Sequence, residues 1–206
     1  SPEGKEYFAA MAAGANYAWC NRQVILALVE RALERVFKGD RDSFGLRQIY
    51  DVCHNIAKFE EHDVDGQKRT LCVHRKGATR AFPPHHPGTP KPYQEVGQPV
   101  LIPGDMGTAS YLLVGTQGAM EKTWGSTCHG AGRVMSRKGA VRQTKNRNIA
   151  KELKQQGITV KSRGKRTLSE EMPGAYKDVE SVVRVMHEAG ITRKVARLKP
   201  FAVVKG

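Results

Sequence analysis

A long helical pattern near the start of the chain constrains the fold more than any other feature. From about Glu6 to Phe37, apolar side chains recur at the spacing of a helix face. These residues are Ala10, Ala13, Tyr17, Val24, Ala27, Leu28, Val36 and Phe37. The pattern predicts one helix, or two helices that meet near Gly14, and it ends at Lys38-Gly39-Asp40 with Gly39 as the predicted C-cap. The alanine-rich first half would allow close packing against a neighbouring element.

Shorter apolar runs after this helix predict β-strands that are separated by turns. The strand candidates are residues 46–51, 68–75, 99–102, 110–114, 158–161 and 195–204. Residues 56–61 fit either a strand or a helical turn. Asp65-Gly66 predicts a hairpin connection, because these residues tolerate the positive φ angles of a two-residue turn.

Two more helical patterns and two loops complete the chain. Residues 134–157 have a helical tendency that ends at Gly157, and another helix is predicted between Asp178 and Gly190. The apolar face of this last helix is Val179, Val182, Val183, Met186 and Ala189. Residues 82–92 are predicted as a proline-rich loop and residues 119–132 as loop or turn. Helices mixed with separated strands predict an α+β fold for a single domain, residues 1–206.

The charge of the chain is strongly positive and unevenly distributed. The formal net charge is +14, and residues 133–166 hold twelve basic residues against one acid, Glu152. A basic stretch of this density is typical of proteins that bind a nucleic-acid backbone. The alternative is a solvated basic face that has no partner.

The scattered cysteines indicate a reducing compartment, and the interrupted apolar stretches indicate no membrane span. Cys20, Cys53, Cys72 and Cys128 are scattered and form no C-x-x-C pair, which is typical neither of a disulfide framework nor of a zinc ribbon. The apolar stretches are interrupted by Arg, Glu or Gly, and no signal peptide is recognisable. We therefore expect a cytoplasmic protein with no membrane partner.

Residues 126–133 combine one histidine, two glycines and one arginine. A neutral imidazole can attack phosphorus, glycines let a backbone approach a nucleotide, and arginine binds phosphate. The alternative is a glycine turn beside a surface histidine. The chain has neither a G-x-x-x-x-G-K-[ST] loop nor a K-x-D-G lysine, since residues 63–66 have aspartate where that lysine would stand. A covalently bound nucleotide would therefore have to be attached to histidine.

Other histidines and one basic turn are weaker candidates for a site. His54, followed by Asn55, could bind a metal ion or could be a hydrogen-bonded core residue. His62 is predicted to be a solvated loop residue. Residues 75–80 form a basic turn that could hold a phosphate or could be an ordinary hairpin end.

Five ordered motifs carry a family resemblance. They are DVCHNIAK at 51–58, VHRKGATRAFP at 73–83, GDMGTASY at 104–111, CHGAGR at 128–133 and VKG at 204–206. Together they resemble the RtcB family of tRNA-splicing, GTP-dependent RNA ligases. The resemblance implies an RtcB-like fold of mixed sheets with flanking helices, of which the chain is the C-terminal part.

The resemblance also implies an activity and its residues. The family joins RNA ends that carry a 2′,3′-cyclic phosphate or 3′-phosphate to 5′-hydroxyl ends, as in tRNA splicing and RNA repair, and it uses Mn²⁺ and GTP. His129 would attack the α-phosphorus of GTP and become guanylylated, and His54 would bind Mn²⁺. The implied GMP-binding residues are His54, Asn55, Pro103, Gly104, Asp105, Met106, Ser110, His129, Gly130, Ala131, Gly132, Tyr176 and Lys205. Lys76, Arg133 and Arg137 are implied to hold RNA phosphates.

The chain departs from the family pattern in one residue and in extent. Many members have serine at the position of Asp105, whose carboxylate could accept hydrogen bonds from the guanine edge. The family's other metal ligands lie in an N-terminal portion that has no counterpart here, so we expect the chain alone neither to bind Mn²⁺ normally nor to ligate RNA. The expected partners are RNA such as tRNA exon halves, GTP, the N-terminal portion and an activating protein. The alternatives are a catalytically inactive guanylate- or RNA-binding fragment and a metal-dependent phosphoesterase.

Overall fold

The first helix, α1, spans Pro2–Phe37 without a break in the computed structural model, which describes residues 1–162, 164–199 and 202–204. Ser1 caps it, since the Ser1 hydroxyl accepts a hydrogen bond from the Gly4 N–H at 3.2 Å. The single-helix prediction is confirmed. Neither α1 nor any other helix among the described residues is long and apolar enough to cross a membrane.

The predicted cap at Gly39 is wrong, because the left-handed residue that ends α1 is Lys38, with φ of 54°. Gly39 has a different role. A Cβ atom on Gly39 would lie 2.6 Å from the Ser43 hydroxyl oxygen and 2.7 Å from the Phe44 ring. The Ser43 and Phe44 side chains of the following turn therefore pack directly on Gly39.

Two compact units make up the structure, Ser1–Lys76 and Gly77–Gly206. In the first unit, β1 (Asn55–Val64) and β2 (Gln67–Lys76) form an antiparallel hairpin. Asp65 and Gly66 connect them with φ angles of 53° and 79°. The hairpin prediction is confirmed, and the stretch at 56–61, for which the sequence allows two structures, is a strand.

The predicted strand at 46–51 is wrong, since these residues have no regular secondary structure. Their polar side chains bond to α1 instead of forming a ladder. Arg22 Nε lies 2.5 Å from an Asp51 carboxylate oxygen, and the Gln23 amide lies 3.5 Å from the Gln48 amide oxygen. These contacts hold the segment in place before β1 begins.

His62 is not the solvated loop residue that the sequence predicts. It lies within β1 and is buried, with its Nε2 atom 3.3 Å from the Glu60 carboxylate. Arg75 donates two hydrogen bonds to the same carboxylate, at 2.9 and 2.8 Å. The strand alternation places Glu60 and His62 on the same face, an arrangement that the prediction of a polar loop does not include.

The second unit contains two antiparallel sheets. The strands are β3 (Ala78–Arg80), β4 (Pro99–Ile102), β5 (Ser110–Gly115), β6 (Ser126–Cys128) and β7 (Thr192–Leu198). Strand β3 pairs with β6, and the other three form a sheet in the order β4-β5-β7. Strand β7 begins before and ends earlier than the predicted strand at 195–204, of which residues 200 and 201 lie outside the described residues.

The helices of the second unit are short. They are α2 (Gln117–Thr123), α3 (Arg137–Gln143), α4 (Ile149–Gln155), α5 (Lys165–Glu170) and α6 (Val179–Glu188), with 3₁₀ helices at Lys91–Tyr93 and Pro173–Ala175. Asp178 caps α6 as predicted, by accepting hydrogen bonds from the N–H groups of Glu180 and Ser181. The prediction of loop or turn at 119–132 is wrong, since these residues contain helix and strand. The helical tendency at 134–157 is confirmed, but it is divided between α3 and α4.

Two hydrophobic cores organise this unit. In the first, Val179 and Val183 of α6 pack with Ile102, Tyr111 and Leu113 of the three-stranded sheet. The second core is formed mainly from α3, α4 and the segment after α5, by Ala140, Ile149, Leu153, Met172 and Ala175. Ile158 and Val160 pack against this second core. Residues 158–161 have no regular secondary structure, so the predicted strand is wrong. Their alternating apolar side chains are explained by packing against the second core.

Candidate functional site

His129 stands where β6 leads into a glycine loop. Cys128 is the last residue of β6 and pairs with Ala78, and the His129 N–H donates to the Gly77 carbonyl at 3.1 Å. The side chain is half-buried, and its Nδ1 atom is shielded from solvent. The backbone is therefore held by the sheet, and the imidazole lies at the start of the loop.

The neighbouring thiol is poorly suited to act as a nucleophile. Burial raises the pKa of Cys128, although hydrogen bonds from Thr127 and the Gly130 backbone oppose the shift. A thiol with a raised pKa stays protonated near neutral pH, and the thiolate is the reactive form. Of the two adjacent side chains, His129 is therefore the better candidate.

The two glycines of the loop leave its backbone open. Gly130 and Gly132 have φ angles of 144° and 76°, which favour glycine. A Cβ atom on Gly132 would meet nothing within 4 Å, and one on Gly130 would lie 4.0 Å from the Pro103 carbonyl oxygen. Ala131, between them, is buried in the first core. The loop is thus anchored at its centre and accessible at both glycines, an arrangement that fits a phosphate or nucleotide.

The turn between β4 and β5 lies beside this loop, and Asp105 shapes it. An Asp105 carboxylate oxygen accepts a hydrogen bond from the Gly107 N–H at 2.7 Å. The Asp105 N–H in turn donates to the Thr108 hydroxyl at 3.2 Å. This turn-forming role is not predicted from the sequence, which suggests only a guanine contact for the Asp105 carboxylate.

Gly104 is tightly packed within the same turn. A Cβ atom there would lie 2.2 Å from the Ala109 carbonyl oxygen, 2.5 Å from the Thr108 hydroxyl and 3.3 Å from Val179. The turn therefore folds closely on its own backbone and against the Val179 side chain of α6, and a larger residue than glycine would clash there.

Replacement of Gly104 with alanine should destabilise the protein by about 1–3 kcal/mol, the usual effect of overpacking. Urea unfolding measures the change. Gly107→Ala is the matched control, because a Cβ atom on Gly107 meets nothing closer than 3.4 Å. Equal stability of the two variants would contradict the packing role of Gly104.

Tyr176 and Arg133 form a polar cluster with Glu171. Arg133 donates to the Tyr176 hydroxyl at 3.1 Å, and its guanidinium lies 4.9 Å from the centre of the Tyr176 ring. The Tyr176 hydroxyl donates to Glu171, and Arg133 lies 3.4 Å from the same carboxylate. Burial, followed by the Glu171 charge, raises the pKa of Tyr176. No sequence pattern marks Glu171, which orients both predicted site residues.

Backbone contacts bring the predicted nucleotide residues of the second unit together. The Lys177 N–H donates to the Gly132 carbonyl at 3.0 Å, and the Val134 N–H donates to the Ala175 carbonyl at 2.9 Å. Met106 and Tyr176 both pack against the second core. The segments 103–106, 129–132 and 175–177 therefore converge, and Ser110 begins the strand that follows the first of them.

His54, Asn55 and Lys76 belong to the first unit, at the base of the β1–β2 hairpin, where Asn55 pairs with Lys76. Desolvation, followed by the charges of Arg22 and Lys76, lowers the pKa of His54. The imidazole is therefore neutral near pH 7, as metal coordination requires. Arg22, through its contact with Asp51, positions the segment before His54, a role that no sequence pattern indicates. Lys205 lies outside the described residues.

The described residues do not fit a metal centre by themselves. Among residues 1–162, 164–199 and 202–204, no group of three or more His, Cys, Asp and Glu side chains is placed to hold a metal ion. His54 can contribute one ligand, whereas metal sites in proteins normally need several.

The predicted RNA-contacting residues differ in what they contact. The Arg133 guanidinium is engaged internally, since it also donates to the carbonyls of Glu170 at 2.6 Å and Met135 at 3.1 Å. Arg137 is exposed and lies 3.9 Å from Glu170, and Lys76 is also exposed. Helices α3 and α4 and the turn after α3 carry a group of exposed basic residues, here named the α3–α4 basic group: Arg137, Lys138, Arg142, Lys145, Lys151 and Lys154.

Comparison with known proteins identifies the family. The family model for tRNA-splicing ligase RtcB matches residues 1–206. Relatives named tRNA-splicing ligase RtcB align with the whole chain. That of Pyrococcus abyssi is 57% identical, over 22% of its own length, and that of Thermococcus kodakarensis is 56% identical, over 43% of its length. The Archaeoglobus fulgidus relative is also 56% identical, over 43% of its length. The chain thus spans less than half the length of these relatives, and it belongs to the tRNA-splicing ligase RtcB family.

Proposed function

We propose that this chain supplies the nucleotide-accepting part of a GTP-dependent RNA ligase that acts in tRNA splicing and RNA repair. The observation that supports this proposal most directly is that the segments 103–106 and 175–177 lie close to the loop 129–132, which begins with His129. The names of the relatives support an RNA-joining activity, and the basic charge supports an RNA substrate.

In the proposed reaction, a ring nitrogen of His129 attacks the α-phosphorus of GTP. A phosphorus–nitrogen bond forms, the bond to the β-phosphate breaks, and pyrophosphate leaves. The 3′-phosphate of one RNA end then takes the GMP from histidine. The 5′-hydroxyl of the other end attacks that phosphate and displaces GMP, which leaves a phosphodiester. Covalent catalysis of this kind divides one difficult step into easier ones.

The chain's own residues would bind and orient the guanylate. Gly130 and Gly132 would present backbone N–H groups to phosphate, because the space beside them is open. Tyr176, held by Arg133 and Glu171, would offer its ring to the base. We also assign a role in guanylate binding to Pro103, Gly104, Asp105, Met106, Ser110 and Ala131. The same role is proposed, from the family resemblance alone, for His54, Asn55 and Lys205.

Mn²⁺ binding is proposed to depend on ligands outside these 206 residues, with His54 as one ligand. The absence of a three-ligand group among the described residues supports this division. The same absence of ligands is compatible with the alternative function, in which these 206 residues alone bind guanylate or RNA without catalysis.

The test compares the chain alone with an assembled ligase. The assembled ligase is this chain together with the part of the Thermococcus kodakarensis relative beyond the matched region, in one polypeptide or two. Labelled RNA with a 3′-phosphate end and RNA with a 5′-hydroxyl end are incubated with Mn²⁺ and GTP. We expect a ligated product only from the assembled ligase and only with GTP. Release of phosphate without GTP would support the phosphoesterase, and GTP or RNA binding without ligation would support the inactive fragment.

The α3–α4 basic group is proposed to contact RNA phosphates. Reversal of the charge at Arg142 and Lys145 together should weaken RNA binding by the assembled ligase and lower the salt slope by about 1.5 units, roughly 0.7–0.9 for each phosphate that is no longer neutralised. Fluorescence anisotropy over a salt series measures this. Lys91→Glu, at an exposed site on a 3₁₀ helix, is the control and should change the slope less. Equal slopes for both variants would contradict the assignment.

A further inference from the structure

Helix α1 is apolar on two faces, and the rest of its own unit, Ser1–Lys76, packs against only one of them. On the inner face, Phe8, Met11, Ile25 and Val29 are half-buried, and the Phe8 ring lies 5.2 Å from that of Phe59 on β1. No residue of the helix is fully buried. The sequence pattern described above for α1 lies largely on the other face, which is exposed.

This outer stripe has the spacing of a helix-packing seam. It consists of Ala10, Ala13, Tyr17, Cys20, Val24 and Ala27, which are separated by alternating steps of three and four residues. All six are exposed, and Tyr17 and Val24 expose 76% and 57% of their surface. Alternating steps of three and four place apolar side chains along one line of a helix, where they normally pack against another helix. Leu28, beside the stripe, is also 57% exposed.

A helix that is apolar on opposite faces is typical of the interior of a larger protein. Leaving large apolar side chains in water forgoes the free energy of their burial. The small residues Ala10, Ala13 and Gly14 at one end of the stripe would allow a partner backbone to approach closely.

We propose that the outer stripe of α1 is the interface with the part of the ligase that lies beyond these 206 residues. The relatives align with the whole chain and are more than twice its length, so each has a large additional portion. A segment in the same polypeptide is present at a high effective concentration, which favours it over a second copy. In a parallel pair of copies, Arg31, the next position of the seam, would also face its own like charge.

Cys20 provides a probe within the stripe. Its thiol is exposed in the structure of the chain, so alkylation should be fast unless another surface covers it. In the assembled ligase defined above, we expect native Cys20 to react at least about a hundredfold more slowly than in the unfolded protein, because a thiol at a stable interface reacts only after opening. Mass spectrometry of the alkylated peptides gives the rate for Cys20 separately from the other cysteines.

The matched control is Asp42→Cys, in the exposed turn that follows α1 in the same unit. Its native rate should stay within about tenfold of its unfolded rate. The proposal is overturned if Cys20 reacts as fast as this control. It is also overturned if Cys20 protection falls on dilution while light scattering shows a dimer dissociating, since a second copy would then cover the stripe. The readout is independent of GTP and RNA, so a failed ligation assay leaves this test intact.

Discussion

Replacement of His129 with alanine should abolish the transfer of labelled GMP to the protein. The assembled ligase is incubated with Mn²⁺ and GTP that carries the label on its α-phosphate. Loss of the nucleophile removes the atom to which phosphorus would bond, so we expect labelling to fall by at least about a thousandfold. A phosphorus–nitrogen bond also predicts label that is lost in acid and retained in alkali. Acid-stable label on the unsubstituted protein would indicate a different attachment.

The adjacent cysteine provides the control for this experiment. Cys128→Ser changes the neighbouring side chain by one atom, and the raised pKa of the Cys128 thiol argues against a role as nucleophile. We expect Cys128→Ser to keep most of the labelling. Label that persists in His129→Ala and disappears in Cys128→Ser would transfer the role to the thiol. Loss of label in both variants would point to the geometry of the loop and not to either side chain.

The turn at Asp65-Gly66 and the cap at Asp178 are predicted correctly, because both depend on nearby residues only, whereas the predicted cap at Gly39 lies one residue too late. Asp65-Gly66 forms the predicted two-residue turn, since both residues tolerate positive φ. Asp178 caps α6 as predicted, because its carboxylate reaches N–H groups two and three residues ahead. The predicted strand at 158–161 fails for the opposite reason. Its apolar side chains fill a core, and the sequence does not distinguish burial against helices from pairing in a sheet.

The sequence indicates residues of the candidate site but not their supporting contacts. The glycine loop at 129–132 stands out through residue type alone, and the structure places it beside the turn at 103–106. Glu171 is separated from Arg133 in sequence and has no distinctive neighbours, so only the fold shows that it binds both Arg133 and Tyr176. The buried contact between His62 and Glu60 is not predicted, because polar residues at this spacing also occur in exposed loops. Local patterns therefore leave undetermined both the polar contacts between distant residues and the burial of polar residues that are close in sequence.

Replacement of Arg133 with methionine should lower stability much more than the same change at Arg137. Both arginines are predicted RNA contacts, but Arg133 has only 21% of its side chain exposed and bonds to Met135, Glu170, Glu171 and Tyr176. Its removal takes away the cation that lies 3.4 Å from the half-buried Glu171 carboxylate. We expect a loss of about 2–4 kcal/mol for Arg133→Met. Arg137 is 68% exposed, and we expect its replacement to cost less than about 1 kcal/mol.

Urea unfolding and RNA binding, measured on the same two variants, separate the roles of these arginines. Arg137→Met should weaken RNA binding and lower the salt slope by about one unit, while stability changes little. Arg133→Met should lose stability, and adding Glu171→Gln should restore part of the loss, because the negative charge that Arg133 faces is then removed as well. If Arg133 stabilises the fold through Glu171, the effects of the two substitutions on stability must be non-additive, because the two side chains lie 3.4 Å apart. Additive effects on stability, together with a lowered salt slope for Arg133→Met, would show that Arg133 contacts RNA and contributes little to the fold.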